Sequence, residues 1–158
     1  MKLGKSRSII PATILAIVAV VGLNSAVFAT SPIGQTTSNL VAGTLTSISV
    51  VNTDRIKFQT KGDVDVAMFT VTYDPAGTSG WHTHPGVVLV TVKIGAVLRQ
   101  IGCAEPIPYN PGDTFVESDE QPAGRVSNAS PSDPAVLQVT QVVPHGSPRR
   151  VEAVAPAC

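Results

Sequence analysis

Beyond the first forty residues, apolar and polar positions alternate in short runs that are separated by turn residues. A period of two places successive side chains on opposite faces of a β-strand. Thirteen prolines and thirteen glycines punctuate these runs, and no helix of useful length is visible after the N-terminal segment. The pattern therefore predicts an all-β sandwich or barrel. Its strands are expected over residues 40–51, 55–60, 64–73, 87–94, 96–101, 114–117 and 135–143.

The N-terminal residues have the pattern of a secretory signal peptide. Three basic residues precede an apolar run from Ile9 to Val21, and smaller residues lead up to Ala29. This order predicts cleavage after Ala29, so that residues 1–29 are removed and the mature chain begins at Thr30. The alternative is an uncleaved membrane anchor, because the apolar segment is about long enough to cross a bilayer. The proline and glycine inside the segment favour cleavage.

The remaining chain divides into a lead-in, one domain and a tail. Residues 30–39 are polar and contain a proline and a glycine, which predicts a flexible lead-in. Residues 40–145 hold the predicted strands, and a chain with 43% hydrophobic residues can bury a core in a single domain of this size. Residues 146–158 are interpreted as a C-terminal tail, in which Arg149 and Arg150 form a solvated basic pair.

Charge and aromatic content argue against nucleic acid as a partner. The eleven basic and eleven acidic residues balance, but Lys2, Lys5 and Arg7 belong to the predicted signal peptide. The mature chain would carry eight basic and eleven acidic residues, a net charge of about −3. Aromatic residues make up only 4%, and no basic patch interleaved with aromatics is present. We expect a secreted, periplasmic or cell-envelope protein that is free of the membrane after cleavage.

Export determines how the two cysteines are interpreted. Cys103 and Cys158 are the only cysteines, and an even pair in an oxidising compartment typically forms a disulfide. A metal site and a catalytic thiol are the alternatives, but neither cysteine has a histidine close in sequence. The bridge would tie the C-terminal tail to the barrel.

Two of the three histidines lie two residues apart, in the sequence G-T-S-G-W-H-T-H-P-G. In an extended strand, His82 and His84 would leave the same face and could share one metal ion. The alternative is a pair of partly buried polar residues that hydrogen-bond to backbone or water. Pro85 and Gly86 follow directly, so the pair is expected at a strand end.

At these residues the sequence resembles the cupin family. The first cupin motif consists of a glycine, five residues, H-x-H, three or four residues, a glutamate, six residues and a glycine. His82, His84 and the closing Gly95 match it, whereas the opening glycine, Gly77, lies one place late and the glutamate position falls on Val88. If the alternation continues past Gly86, Val88 shares the inward face of the histidines together with Val90 and Val92.

The second cupin motif consists of a glycine, five residues, P-x-G, two residues, a histidine, three residues and an asparagine. Gly112 can open it, and residues 122–124 supply P-A-G after a longer, acidic loop. The histidine and asparagine positions fall on Ser127 and Pro131, so neither matches. Glu117, which ends the preceding predicted strand, is the best substitute for a third ligand; the alternative is a solvated strand-end carboxylate.

His145 is the other candidate third ligand, but V-P-H-G-S-P is typical of an exposed loop. The sole tryptophan, Trp81, is expected to point to the face opposite the histidines and to serve packing.

The resemblance implies a jelly-roll barrel and three hypotheses for function. The first is a binding module that holds a divalent transition metal (Fe, Mn, Ni, Cu or Zn), a small ligand or both through His82 and His84, with Glu117 as third ligand. The second is a metal-dependent oxygenase or isomerase that acts on a small molecule. The third is a structural or adhesive envelope protein, for which the barrel interior would be filled and dry. Cupin barrels often dimerise, so the resemblance allows a homodimer, although the sequence shows no interface.

Overall fold

The computed structural model describes residues 29–158, which form twelve strands and no helix. Nothing in this part of the chain is therefore a helix that could cross a membrane. The predicted signal peptide lies outside the described residues, except for Ala29. The strands are β1 (Ile33–Leu45), β2 (Val50–Asn52), β3 (Lys57–Gln59), β4 (Val64–Thr78), β5 (His82–Thr83), β6 (Val87–Ile94), β7 (Val97–Ile101), β8 (Ile107–Tyr109), β9 (Thr114–Glu117), β10 (Gly124–Asn128), β11 (Ala135–Pro144) and β12 (Val151–Glu152).

Strand β4 connects the two antiparallel sheets of the fold. Along most of its length it pairs with β1 on one side and β11 on the other, and the first sheet has the order β1-β4-β11-β6-β9. Its last residue, Thr78, pairs with Ser127 of β10, which belongs to the second sheet, β12-β5-β10-β7-β8. The two sheets face each other as a jelly-roll barrel, so the predicted fold class is confirmed. Strands β2 and β3 form a separate hairpin.

Inward and outward side chains alternate on each long strand, and most of the inward ones are apolar. On β11, for example, every second residue from Ala135 to Val143 is buried. Val88, Val90 and Val92 of β6 are buried as expected, and they pack with residues from five other strands. The core comprises Val71, Tyr73, Val88, Val90, Val92, Val97, Phe115, Val126, Ala135, Leu137 and Val139.

Three segments that were predicted to lack regular structure contain strands. The flexible lead-in predicted for residues 30–39 is wrong, because β1 begins at Ile33 and pairs with β4. Most side chains in this stretch are polar and exposed. It is ordered by backbone pairing, and such pairing produces no hydrophobic periodicity in the sequence. Strand β8 lies within a predicted surface loop and β12 within the predicted tail; both are short and pair with β7 and β5, respectively.

The C-terminal segment, residues 145–158, packs against the second sheet. Strand β12 pairs with β5 so that Glu152 lies opposite His82. A disulfide joins Cys103 to Cys158, as the sequence predicted, and no cysteine of the described chain is free. The segment is therefore held at two points, by the pairing of β12 with β5 and by the disulfide at its last residue.

Candidate metal centre

His82 lies in β5, which is placed between β12 and β10 in the second sheet, and His84 follows this strand directly. Strand β5 is only two residues long, but the side chains of His82 and His84 still lie close together. Their ring centroids are 4.8 Å apart, and the ring planes meet at 88°. The chain then turns into β6 through Gly86, where a Cβ atom would collide with the carbonyl oxygen of Val142. Close backbone approach at this glycine keeps the histidines next to the strands of the first sheet.

Glu117 reaches the histidines from a neighbouring strand. Strand β9 pairs with β6 so that Glu117 lies directly opposite Val88, the position that the cupin motif assigns to glutamate. Glu117 is buried, and its Oε2 lies 3.3 Å from Nε2 of His84. A ligand atom from each of His82, His84 and Glu117 lies within 4.8 Å of the others. The register of β6 and β9 thus provides a carboxylate where the sequence motif lacks one.

Backbone carbonyls fix the orientation of both imidazoles. Nδ1 of His82 lies 3.0 Å from the carbonyl oxygen of Gly80, and Nδ1 of His84 lies 2.7 Å from that of Arg149. Because a carbonyl oxygen only accepts hydrogen bonds, each ring donates from Nδ1 and presents Nε2 to the cluster. Gln141 Nε2 donates to the same Arg149 carbonyl and lies beside His84 Nδ1. Metal-binding histidines typically donate their second nitrogen in this way.

Electrostatics in the cluster favour a neutral His82 and a charged Glu117. Burial, followed by the positive charge of Arg150, lowers the pKa of His82 to about 4. Burial acts to raise the pKa of Glu117, but the hydrogen bond with His84 and the nearby histidines and Arg99 outweigh it, and the pKa is lowered. At neutral pH, His82 therefore offers a lone pair and Glu117 offers a charged oxygen. Two histidines and one carboxylate form a donor set that suits divalent transition metals, so these residues fit such an ion.

Arg99 positions the Glu117 carboxylate from the side opposite His84. Its Nη2 donates to the carbonyl oxygen of Val116 at 2.7 Å and to Oε1 of Gln121 at 2.8 Å, while its Nε lies 3.6 Å from Glu117 Oε1. Gln121 belongs to the loop that is longer than in the cupin motif. No sequence motif predicts the role of Arg99, because it depends on contacts between β7 and the end of β9.

A cavity of about 280 Å³ adjoins the cluster inside the barrel. Its walls are mainly apolar, and its polar lining includes His82, His84 and Glu117 at one side and Arg149 and Arg150 of the C-terminal segment. The barrel is therefore not filled by side chains, which argues against the hypothesis of a purely structural protein. The apolar lining comprises Leu40, Phe69, Val71, Tyr73, Val88, Val90, Val126, Leu137 and Val139.

The other residues considered from the sequence lie outside the cluster. Ser127, at the histidine position of the second motif, donates a hydrogen bond to Thr78 where the two sheets meet. His145 lies in a surface turn and contacts Asp65. Trp81 is buried, and the Arg125 guanidinium lies over its ring, 5.1 Å from the centroid. Arg149 and Arg150 both line the cavity. The interpretation as a solvated pair is wrong for Arg150, which is half-buried and paired with Glu152, whereas Arg149 is exposed.

No protein-family model matches the sequence, and no curated protein matches it. Among solved structures, the chain is similar to a cupin-like protein from Thermotoga maritima, with 18% identity over 60% of this chain and 79% of that chain and a TM-score of 0.49. It is also similar to an uncharacterized conserved protein with a double-stranded β-helix domain from Klebsiella pneumoniae, with 19% identity over 58% and 76% of the two chains and a TM-score of 0.47.

An oxalate oxidase is a further similar structure, with 23% identity over 49% of this chain and a TM-score of 0.42. The chain spans only 45% of the length of that enzyme. Because all three TM-scores are below 0.5, the argument for function rests on the geometry of the cluster and the cavity.

Proposed function

We propose that this protein binds a divalent transition metal through His82, His84 and Glu117 and holds a small molecule in the adjoining cavity. The observation that carries the proposal is the pair of carbonyl hydrogen bonds to Nδ1 of His82 and His84, which leaves both Nε2 atoms for one ion beside a buried carboxylate.

The bound ion would supply Lewis acidity and coordination positions that three protein ligands leave open. The chain itself provides the apolar cavity that excludes water and the residues that orient the ligands. Tyr73 also lines this cavity, and burial raises the pKa of its hydroxyl, so the group stays protonated. Binding without turnover is the function favoured here, because no general base other than the three ligands is evident in the cavity.

We also propose that the protein is exported and works in an oxidising compartment. The Cys103–Cys158 disulfide supports this proposal, since such bonds persist outside the cytosol. Cleavage after Ala29 would leave Thr30 as the first residue. Its hydroxyl accepts a hydrogen bond from the backbone nitrogen of Trp81 at 2.6 Å, next to the histidine strand.

Metal analysis of the mature protein, purified without a histidine tag, tests the metal site. We expect near-stoichiometric iron, manganese, nickel, copper or zinc in the wild type and loss of this metal in His82→Ala. The matched control is His145→Ala, which removes an exposed histidine outside the cluster and should retain the metal. A wild-type protein without metal, or a His82→Ala variant that retains it, would contradict the proposal.

A further inference from the structure

The C-terminal segment places positively charged residues beside the cavity that adjoins the metal cluster. Nη2 of Arg150 donates to the carbonyl oxygen of Ser79 at 2.5 Å, and Nε donates to Glu152 at 2.6 Å. Ser79 also lines the cavity, so these contacts fix the guanidinium beside it. The charge of Arg150 is close enough to His82 to lower the pKa of that imidazole.

Arg149 is a second basic residue among those that line the cavity, and it is exposed. Within residues 29–158 its guanidinium makes no hydrogen bond or ion pair, whereas its backbone carbonyl is used by His84. The Glu152 carboxylate offsets the charge of Arg150, and Glu117 offsets at most one charge of a divalent ion. With the ion bound, the lining would therefore have a net positive charge, which favours an anionic group on the ligand.

The remainder of the cavity is largely apolar and of limited size, with Gln35, Thr37 and Gln141 as further polar side chains. Its walls are built from valines, Leu137, Phe69 and Tyr73, and its volume of about 280 Å³ is near the lower end of the roughly 300–1,000 Å³ typical of small-molecule sites. Such walls gain free energy only from an apolar part of the ligand. A second carboxylate or the many hydroxyls of a sugar would lie against mainly apolar walls.

We propose that the cavity binds a small monocarboxylate with an aliphatic tail, the carboxylate facing Arg149 and Arg150 and the tail lying against the valine walls. This inference rests on the proposed function, because it places the ligand in the cavity beside the metal cluster. Arginine suits this task because its planar donors match a carboxylate.

Three probes of related shape test the two halves of the ligand. Titration calorimetry would measure the affinity of the metal-loaded protein for 4-methylpentanoate, for its neutral amide and for acetate. We expect the acid to bind at least about tenfold more tightly than the amide, which lacks the charge that the arginines recognise. We also expect it to exceed acetate, by up to about fourfold for each methylene that becomes buried.

Variants show whether the arginines cause the preference. Arg149→Met keeps the backbone carbonyl that holds His84, and the double variant Arg149→Met/Arg150→Met removes both charges. The preference for the acid over the amide should decrease in the first and fall below about threefold in the second. Arg55→Met is the matched control, since Arg55 is exposed outside the cavity, and it should bind all probes like the wild type.

The outcomes separate this inference from the metal proposal. If the wild type holds metal but binds the amide as well as the acid, or if the double variant keeps the preference, the carboxylate assignment is overturned while the metal site stands. If acetate binds as tightly as the longer acid, the apolar half is overturned. If the wild type holds no metal, the metal proposal fails, and the same titrations on the metal-free protein still decide the role of the arginines.

Discussion

Within residues 29–158, two contacts join a histidine to a carboxylate, and they differ mainly in their surroundings. In the barrel, His84 Nε2 lies 3.3 Å from Glu117, and both side chains are 12% exposed. On the surface, His145 Nδ1 lies only 2.8 Å from Asp65, but these side chains are 59% and 31% exposed. The longer contact is therefore the one that is shielded from water.

This comparison shows that the distance between two groups does not decide what they can do. The surface pair is surrounded by solvent, and Asp65 also accepts hydrogen bonds from Thr44 and from the amide of Gly146, so it holds a turn to β4. The buried pair has a second imidazole and an oriented lone pair beside it. Only the buried pair has the donors and the low dielectric that an ion site needs.

The C-terminal segment links the two pairs. It begins with His145, continues to Arg149, whose carbonyl orients His84, and ends at the disulfide-bonded Cys158. Removing the disulfide therefore tests how much the fixed end of this segment contributes to stability.

Removal of the disulfide should have the largest effect on stability. In the variant Cys103→Ser/Cys158→Ser, a loop of roughly fifty residues is no longer closed, and the free energy of unfolding should fall by about 2–4 kcal/mol. Denaturant unfolding, followed by a spectroscopic signal, measures this change.

The reduced wild type serves as the control for this variant and should unfold at the same denaturant concentration. An unchanged unfolding midpoint in the variant would contradict the expected stabilisation. Two free thiols in denatured, unreduced wild type would show that the bridge does not form.

Neutralising the carboxylates compares the two pairs directly. Glu117→Gln keeps the side-chain shape but removes the charge, so the affinity for the metal should fall at least tenfold. Asp65→Asn is the equivalent change at the surface pair and should leave this affinity unaltered, because Asp65 is outside the cluster. Metal titrations against a competing chelator measure both constants. Equal losses in the two variants would mean that Glu117 acts only through general electrostatics, and no loss in Glu117→Gln would remove it from the ligand set.

Much of the barrel could be predicted from the sequence because its strands bury one face. The alternation in β6 and β11 reflects burial directly, and it placed Val88, Val90 and Val92 inside the barrel. The first part of β1 could not be predicted, since its side chains from Gln35 to Asn39 are polar and its order comes from backbone pairing with β4. Hydrophobic periodicity carries no information about strands of this kind.

In the cluster, too, residues close in sequence could be predicted better than residues brought together by the fold. His82 and His84 are two residues apart, so the sequence alone put them on one face. Glu117 could be suggested only as a strand-end carboxylate, because its position depends on the register that sets it opposite Val88. The roles of Arg149 and Arg150 were missed, since they follow from the pairing of β12 with β5 and from the disulfide.

The smallest effect is expected from His145→Ala, and its pH dependence should be characteristic of an exposed pair. The hydrogen bond from His145, with those from Thr44 and Gly146, lowers the pKa of Asp65 from 3.8 to about 2, and Asp65 raises the pKa of His145 above 6.5. The contribution of Asp65 to stability is present above its ordinary pKa and is lost as the pH falls towards 2. That of His145 is present below its ordinary pKa and is lost as the pH rises through the raised value. The pair therefore stabilises most between roughly pH 4 and 6.5.

Thermal unfolding of wild type and His145→Ala at about pH 5.5 and about pH 8.5 measures this window. We expect a small difference at the lower pH and a smaller one at the higher pH, because solvent screens an exposed pair and His145 loses its charge as the pH rises. Asp65→Asn should reproduce this pattern, since either substitution breaks the same pair. A difference that does not change with pH would mean that His145 stabilises the turn through packing instead of charge, and the contrast with the buried pair would then not be electrostatic.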